Sequence, residues 1–256
     1  AQMFKYLDTQ NGLSSRRVLS IEKDKKGYMW FLTHEGVDKY NGKQYVHYKL
    51  QDGDKIIQQF PNLNVLATDN KGDMWVLGKD GRIFHYNSLK DQYDLAFKFS
   101  EAVPSDKRLP LTFIKLDKND KIWLCTKTVQ YIYETKSEKF YHLDSSIKEE
   151  ITCISQIDDI HYYIETTRNL CDVPIKLNIL AARRDSLLEN FHVVHHLYFH
   201  SPTQTLLIGT LMDGFYLYNP QKQTIENIGN MDDVNINAVI PYHKSEKELL
   251  LATDGN

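Results

Sequence analysis

Four histidines crowd one short segment: His192, His195, His196 and His200. Clustered imidazoles suggest a metal site. On a strand, His192, His196 and His200 would share one face and His195 the other. Same-face positions four apart sit about 13 Å from one another. That is too far for one ion whose ligands bind at about 2.0–2.1 Å. No HExxH or carboxylate triad stands nearby, so neither a metal nor another cofactor is expected. The Asp-x-x-Gly runs Asp24–Gly27 and Asp69–Gly72 resemble calcium loops only superficially. A calcium loop needs about twelve residues with acidic ligands at alternate positions and a terminal Glu. These runs carry lysine inside and read as turns. Cys125, Cys153 and Cys171 are odd in number and form no CxxC pair. They read as packed thiols, not as a disulfide framework or zinc cluster. GxSxG, Walker A and GxGxxG are all missing from the sequence. The pairs Glu149-Glu150 and Asp158-Asp159 lie in polar, turn-like stretches and do not by themselves make a glycosidase. No catalytic residue is assigned.

Binding chemistry is the stronger theme. The chain has 16 Tyr, 11 Phe and 3 Trp. Trp30, Trp75 and Trp123 could stack on sugar rings, or could fill gaps between packed sheets. Tyr163, Leu207 and Leu250 replace them at the same repeat position, which favours packing. The formal charge of -3 supplies no cationic excess for a nucleic-acid partner. The arginines at 16, 17, 108, 183 and 184 form no single basic run.

The elements that must position these groups come from a repeat. Val18, Val65 and Leu111 each open the same order of features. An apolar strand leads to an Asp-rich turn, a Trp-bearing strand, a short polar loop and an aromatic strand. The markers Trp30, Trp75, Trp123, Tyr163, Leu207 and Leu250 are spaced by 45, 48, 40, 44 and 43 residues, and a Thr or Gly follows each three residues later. Such a period, with four strands per unit, signals propeller blades. The expected fold is all-β, a β-propeller of four-stranded antiparallel blades forming an incomplete ring. Residues 1–256 would hold about five blades plus part of a sixth, ending after its second strand. The segment from Asn178 to Asn190 has helical character, and a short helix is expected there. Met3 to Leu7 reads as a strand able to close the ring, and Leu249 to Thr253 as an exposed edge.

In the first blade the expected strands are Val18–Glu22, Tyr28–Thr33, Val37–Tyr40 and Gln44–Tyr48, strands A to D. The A–B and C–D turns fall on one face of a propeller, and the B–C and D–A loops on the other. The second face carries the variable loops His34-Glu35, Lys79-Asp80, Lys127-Thr128, Thr167-Arg168-Asn169 and Met212-Asp213, with Ser14-Ser15-Arg16 and Lys107-Arg108 beside them. Variable loops on a rigid frame are where specificity resides. Arg16, His34, Lys79, Arg108 and Arg168 are the candidate ligand-binding residues. The arginine fork suits adjacent hydroxyls or a uronate carboxylate.

Asn11-Gly12-Leu13-Ser14-Ser15, then Asp24-Lys25-Lys26-Gly27, then Trp30-Phe31-Leu32-Thr33, resemble the two-component regulator propeller repeat. The match is strong in the first two copies and weak in the fourth. The resemblance implies a sensor region on the periplasmic side of the bacterial inner membrane, belonging to a hybrid histidine kinase. It implies a parent that is membrane-anchored and homodimeric, with this region free of enzyme activity. It also implies oligosaccharide ligands from glycan breakdown. A propeller lyase or glycosidase, or a structural dimerisation scaffold, are the alternatives. An enzyme would show convergent acid/base groups on the loop face, and a scaffold a continuous apolar patch.

Overall fold

Apolar runs of four or five residues, punctuated by aspartate turns, fold here as strands buried on both sides. A computed structural model describes residues 7–57, 65–145, 147–158, 161–167, 170–176, 179–180, 183–184, 194–210, 214–228, 236–241 and 249–253. The first blade is β1 (Val18–Lys23), β2 (Met29–Thr33), β3 (Gly36–Tyr40) and β4 (Tyr45–Tyr48), paired antiparallel in chain order. A hairpin of β5 (Leu50–Asp52) and β6 (Lys55–Ile57) follows. The second blade is β7 (Val65–Thr68), β8 (Met74–Leu77), β9 (Arg82–Asn87) and β10 (Gln92–Lys98), again antiparallel. A four-residue helix, α1 (Phe99–Ala102), comes next. The third blade runs β11 (Leu111–Leu116), β12 (Lys121–Thr126), β13 (Gln130–Glu134) and β14 (Lys139–Ser145). The fourth holds β15 (Ile151–Gln156), β16 (His161–Thr166) and β17 (Leu170–Lys176), with the short pieces β18 (Ile179–Leu180) and β19 (Arg183–Arg184). The fifth is β20 (Val194–His200), β21 (Thr205–Thr210), β22 (Phe215–Asn219) and β23 (Thr224–Asn227). Finally β24 (Ile236–Pro241) pairs antiparallel with β25 (Leu249–Thr253), which has no other strand partner among the described residues. The chain divides into two compact units, residues 1–124 with 132–140, and residues 125–131 with 141–256.

Successive side chains of a strand point to opposite faces, and β2 shows the consequence. Trp30 and Leu32 pack with Leu66, Met74, Val76 and Phe84 of the second blade. Phe31 and Met29 turn the other way, toward Leu13, Tyr40 and Tyr45. In the second unit Tyr163, the fourth marker, packs likewise on Leu206 and Ile208 of the next blade. Trp30, Trp75 and Trp123 are 2%, 5% and 1% exposed, so none offers a stacking face to a sugar.

Each of the three Trp-bearing blades carries the same clasp. One carboxylate oxygen of Asp24 accepts from the backbone N–H of Lys26 and Tyr28, both at 2.9 Å. The other accepts from Trp30 Nε1–H at 2.9 Å. Asp69 does the same for Lys71, Asp73 and Trp75. Asp117 does it for Asn119, Lys121 and Trp123. A buried indole N–H needs an acceptor, and the aspartate six residues earlier supplies it while closing the turn.

The expected helix from Asn178 to Asn190 is corrected in its described part. β18 and β19 both pair with β17, and β18 also runs parallel to β14. Open hydrogen-bonding edges on β17 and β14 override a local helical preference. Met3 to Tyr6 and His192 lie outside the described residues, and the side chains of His195, His196 and Cys171 are likewise not described. Cys125 and Cys153 are buried, unbridged thiols, and burial pushes the Cys125 thiol pKa up.

Candidate ligand-binding face

The segment entering β1 is pinned to the loop side of the first blade by one carboxylate. Asp38, on β3, is fully buried. Its Oδ2 accepts from the backbone N–H of Ser14 at 2.7 Å and from Ser14 Oγ at 2.8 Å. Its Oδ1 lies 2.6 Å from His47 Nδ1 on β4. Ser14 Oγ also meets Thr33 Oγ1 at 3.0 Å, and Thr33 accepts from the backbone N–H of Glu35 in the B–C turn. One polar knot thus ties the D–A segment, the end of β2 and the B–C turn together. Serine, histidine and aspartate invite comparison with a hydrolytic triad. A nucleophilic serine needs an imidazole on its Oγ, with the carboxylate behind the ring. Here the carboxylate stands between the other two, so the group fastens a loop and does not activate a nucleophile.

The candidate residues take different stations. Arg16 is exposed, two residues past the knot. His34 is half-buried in the B–C turn, its Nε2 lacking a partner among the described residues. Lys79 is half-buried after β8. Arg108 donates to the Ser100 carbonyl at 2.7 Å, which turns its guanidinium toward α1. Arg168 lies outside the described residues. None of the four described residues lines either cavity considered below.

A cavity among loops of the same class belongs to the second unit. Its volume is about 460 Å³, and Lys127, Thr128, Lys148, Glu149, Glu150 and Thr167 line it. Three loops build it: the β12–β13 turn, the approach to β15, and the start of the β16–β17 connection. A hydrogen bond from the backbone N–H of Thr167 to the Glu150 carbonyl at 3.0 Å joins two of them. Lys148 Nζ donates to the Ser145 carbonyl at 3.0 Å. The lining balances two ammonium groups against two carboxylates and adds two hydroxyls. Such a wall presents both donors and acceptors without net charge, which suits a neutral polyhydroxyl ligand. Two buried polar atoms near these strand ends have no partner among the described residues: Gln130 Nε2 and Glu165 Oε2. Burial raises the Glu165 pKa to about 8. Of the cavity residues, Lys127, Thr128 and Thr167 fall in loops that the repeat marks, whereas Lys148 and its glutamates carry no local signal. One unforeseen cluster, Asp69, Asp73 and His85, brings ligand-type atoms within 4.8 Å of one another. The Asp69 carboxylate is already committed to three N–H donors, so the cluster is part of the clasp.

Four-stranded antiparallel blades of this kind are those of a β-propeller, and comparisons with solved structures agree. The extracellular domain of the hybrid two-component system BT3049 from B. thetaiotaomicron superposes with a TM-score of 0.72 at 22% identity, over 98% of this chain and 34% of that one. That of BT4673 from the same organism gives 0.67 at 20%, over 95% and 31%. Virginiamycin B lyase from Staphylococcus aureus gives 0.58 at 13%, over 84% and 72%. The chain therefore spans about a third of the length of the two extracellular domains. The family model of the two-component regulator propeller matches residues 12–35. No curated protein matches the chain in sequence.

Proposed function

We propose that the chain is part of an extracytoplasmic ligand-sensing propeller of a hybrid two-component histidine kinase. It binds and transmits, and does no chemistry itself. Its six markers divide it into about five blades and part of a sixth. The parent is held at the inner membrane, facing the periplasm, and acts as a homodimer. Support comes from the regulator-propeller repeat at residues 12–35 and from the likeness to two extracellular domains of such systems. The observation that carries the reading is the charge-balanced cavity of about 460 Å³ on the variable-loop face. Its walls match the hydroxyls of an oligosaccharide, and Arg16, His34, Lys79, Arg108 and Arg168, on the same class of loops, are separate candidate ligand contacts.

The test is calorimetric titration of the chain with a panel of neutral and uronate oligosaccharides. At least one should bind saturably. Lys127→Ala with Lys148→Ala should weaken it about tenfold or more while leaving the melting temperature within a few degrees. Binding that is indifferent to both substitutions would remove this cavity from the reading.

A further inference from the structure

The turn-bearing face of the first unit holds a second cavity, of about 260 Å³, where the first two blades meet. Lys25, Lys26, Lys39 and Lys71 line it, opposed by Asp24 and Asp73, which leaves two positive charges in excess. The Asp24 carboxylate is already engaged by two backbone N–H groups and the Trp30 indole. Lys26, Lys39 and Lys71 have no carboxylate at ion-pair distance among the described residues.

Two of the lysines are positioned by the fold. Lys25 donates to the Asn70 carbonyl at 2.5 Å, and its stem lies against Gly72. A Cβ on Gly72 would stand 2.5 Å from Lys25 Cδ, and the φ of +84° there also favours glycine. Lys39 Nζ stands 4.5 Å from the Tyr28 ring centre, 5.2 Å from Trp30 and 5.8 Å from Tyr86. Ring faces hold a cation in place without neutralising it. Asp91, whose charge Lys39 feels, is itself taken by the hydroxyls of Tyr48 and Tyr86 at 2.7 and 2.5 Å. Gathering four ammonium groups around one hollow is repulsive unless an anion joins them.

We propose that this cavity is an oxyanion site for a tetrahedral dianion, either free sulfate or phosphate or the phosphate monoester of a small alcohol or sugar. Ammonium groups serve such ions as point charges from several directions. The excess of two charges matches a dianion, and the volume leaves room for an ester substituent. This cavity is built on A–B turns of the first unit and the oligosaccharide cavity on loops of the second, so the two proposals stand or fall separately.

The experiment is titration calorimetry of the chain in low-salt buffer with sodium sulfate, sodium phosphate and glucose 6-phosphate, with glucose and sodium chloride as controls. At least one dianion should bind saturably. Affinity should fall about tenfold or more in Lys26→Gln/Lys71→Gln, and again in Lys39→Met. The glutamine pair changes surface side chains only and keeps the test valid if Lys39→Met does not fold. Tighter binding of glucose 6-phosphate than of phosphate assigns the site to an ester, and equal binding to the free ion. No saturable heat up to about 10 mM of any dianion, or an unchanged affinity in the glutamine pair, overturns the proposal.

Discussion

At the scale of single residues, the carboxylates decide most. Asp117 is buried and serves three N–H donors, one of them the indole of a fully buried Trp123. Asp117→Ala strands all three, and should cost about 2–4 kcal/mol. Asp69→Ala, in a half-buried turn, should cost less, about 1–2 kcal/mol. Urea unfolding with an unchanged m-value checks both, and equal losses would contradict the argument from burial. Glu165 works the other way. Burial raises its pKa from 4.5 to about 8, so between those values the folded chain holds a proton that the unfolded chain releases. Stability should therefore fall as pH rises from about 4.5 to 8, by about 2–4 kcal/mol from this group. Glu22, raised to about 7 chiefly by burial, acts in the same direction. Glu165→Gln should flatten much of that slope in melting temperature against pH. A variant with the wild-type slope would show that another group governs it.

Elements carry the next level. Gly36 opens β3 at a φ of +132°, and a Cβ there would lie 2.4 Å from the Tyr48 carbonyl oxygen. Backbone cannot yield as a side-chain tip can, so Gly36→Ala should peel β4 from β3. The expected cost is about 2–3 kcal/mol, with faster amide exchange confined largely to β4. Strand positions in the first blade were legible to within one residue, because Asp turns and apolar runs punctuate them. Other elements were not. Asp52-Gly53 does signal the hairpin of β5 and β6, yet those strands fall between repeat copies and escape the period. The residues from Asn178 to Asn190 carry a helical pattern, and only the partners β17 and β14 make their described pieces extended. The B–C turn of the first blade was legible as a turn. Its polar knot was not, since Ser14 and Asp38 lie 24 residues apart and nothing local announces their meeting. Glu149-Glu150 reads in sequence as a polar, turn-like stretch, because only folding brings it and Lys148 beside Lys127 and Thr167. The Trp row and the Asp turns were each visible, yet their bond six residues apart was not, because a turn motif and a packing motif look self-sufficient.

At the scale of the whole molecule, blades share their interiors. Trp30 lies in a core built from β2, β3, β4 and from β7, β8 and β9 of the next blade. Trp30→Ala should cost about 3–5 kcal/mol and loosen both blades, so amides of β8 should exchange faster along with those of β3. A loss restricted to the first blade would argue that neighbouring repeats are energetically independent. The same repetition lets the clasp be compared between copies. If a copy trades its indole for another apolar ring or chain, its aspartate still caps two backbone N–H groups and one carboxylate oxygen loses a donor. If the aspartate is replaced while the tryptophan stays, a buried indole N–H loses its acceptor and two backbone N–H groups lose their cap. Tyr163, Leu207 and Leu250 are preceded six residues earlier by Ile157, Ser201 and Lys244, so these copies lack both partners. In this chain every marker tryptophan has an aspartate six residues before it, so the orphaned indole that a buried clasp would penalise occurs at none of the six markers.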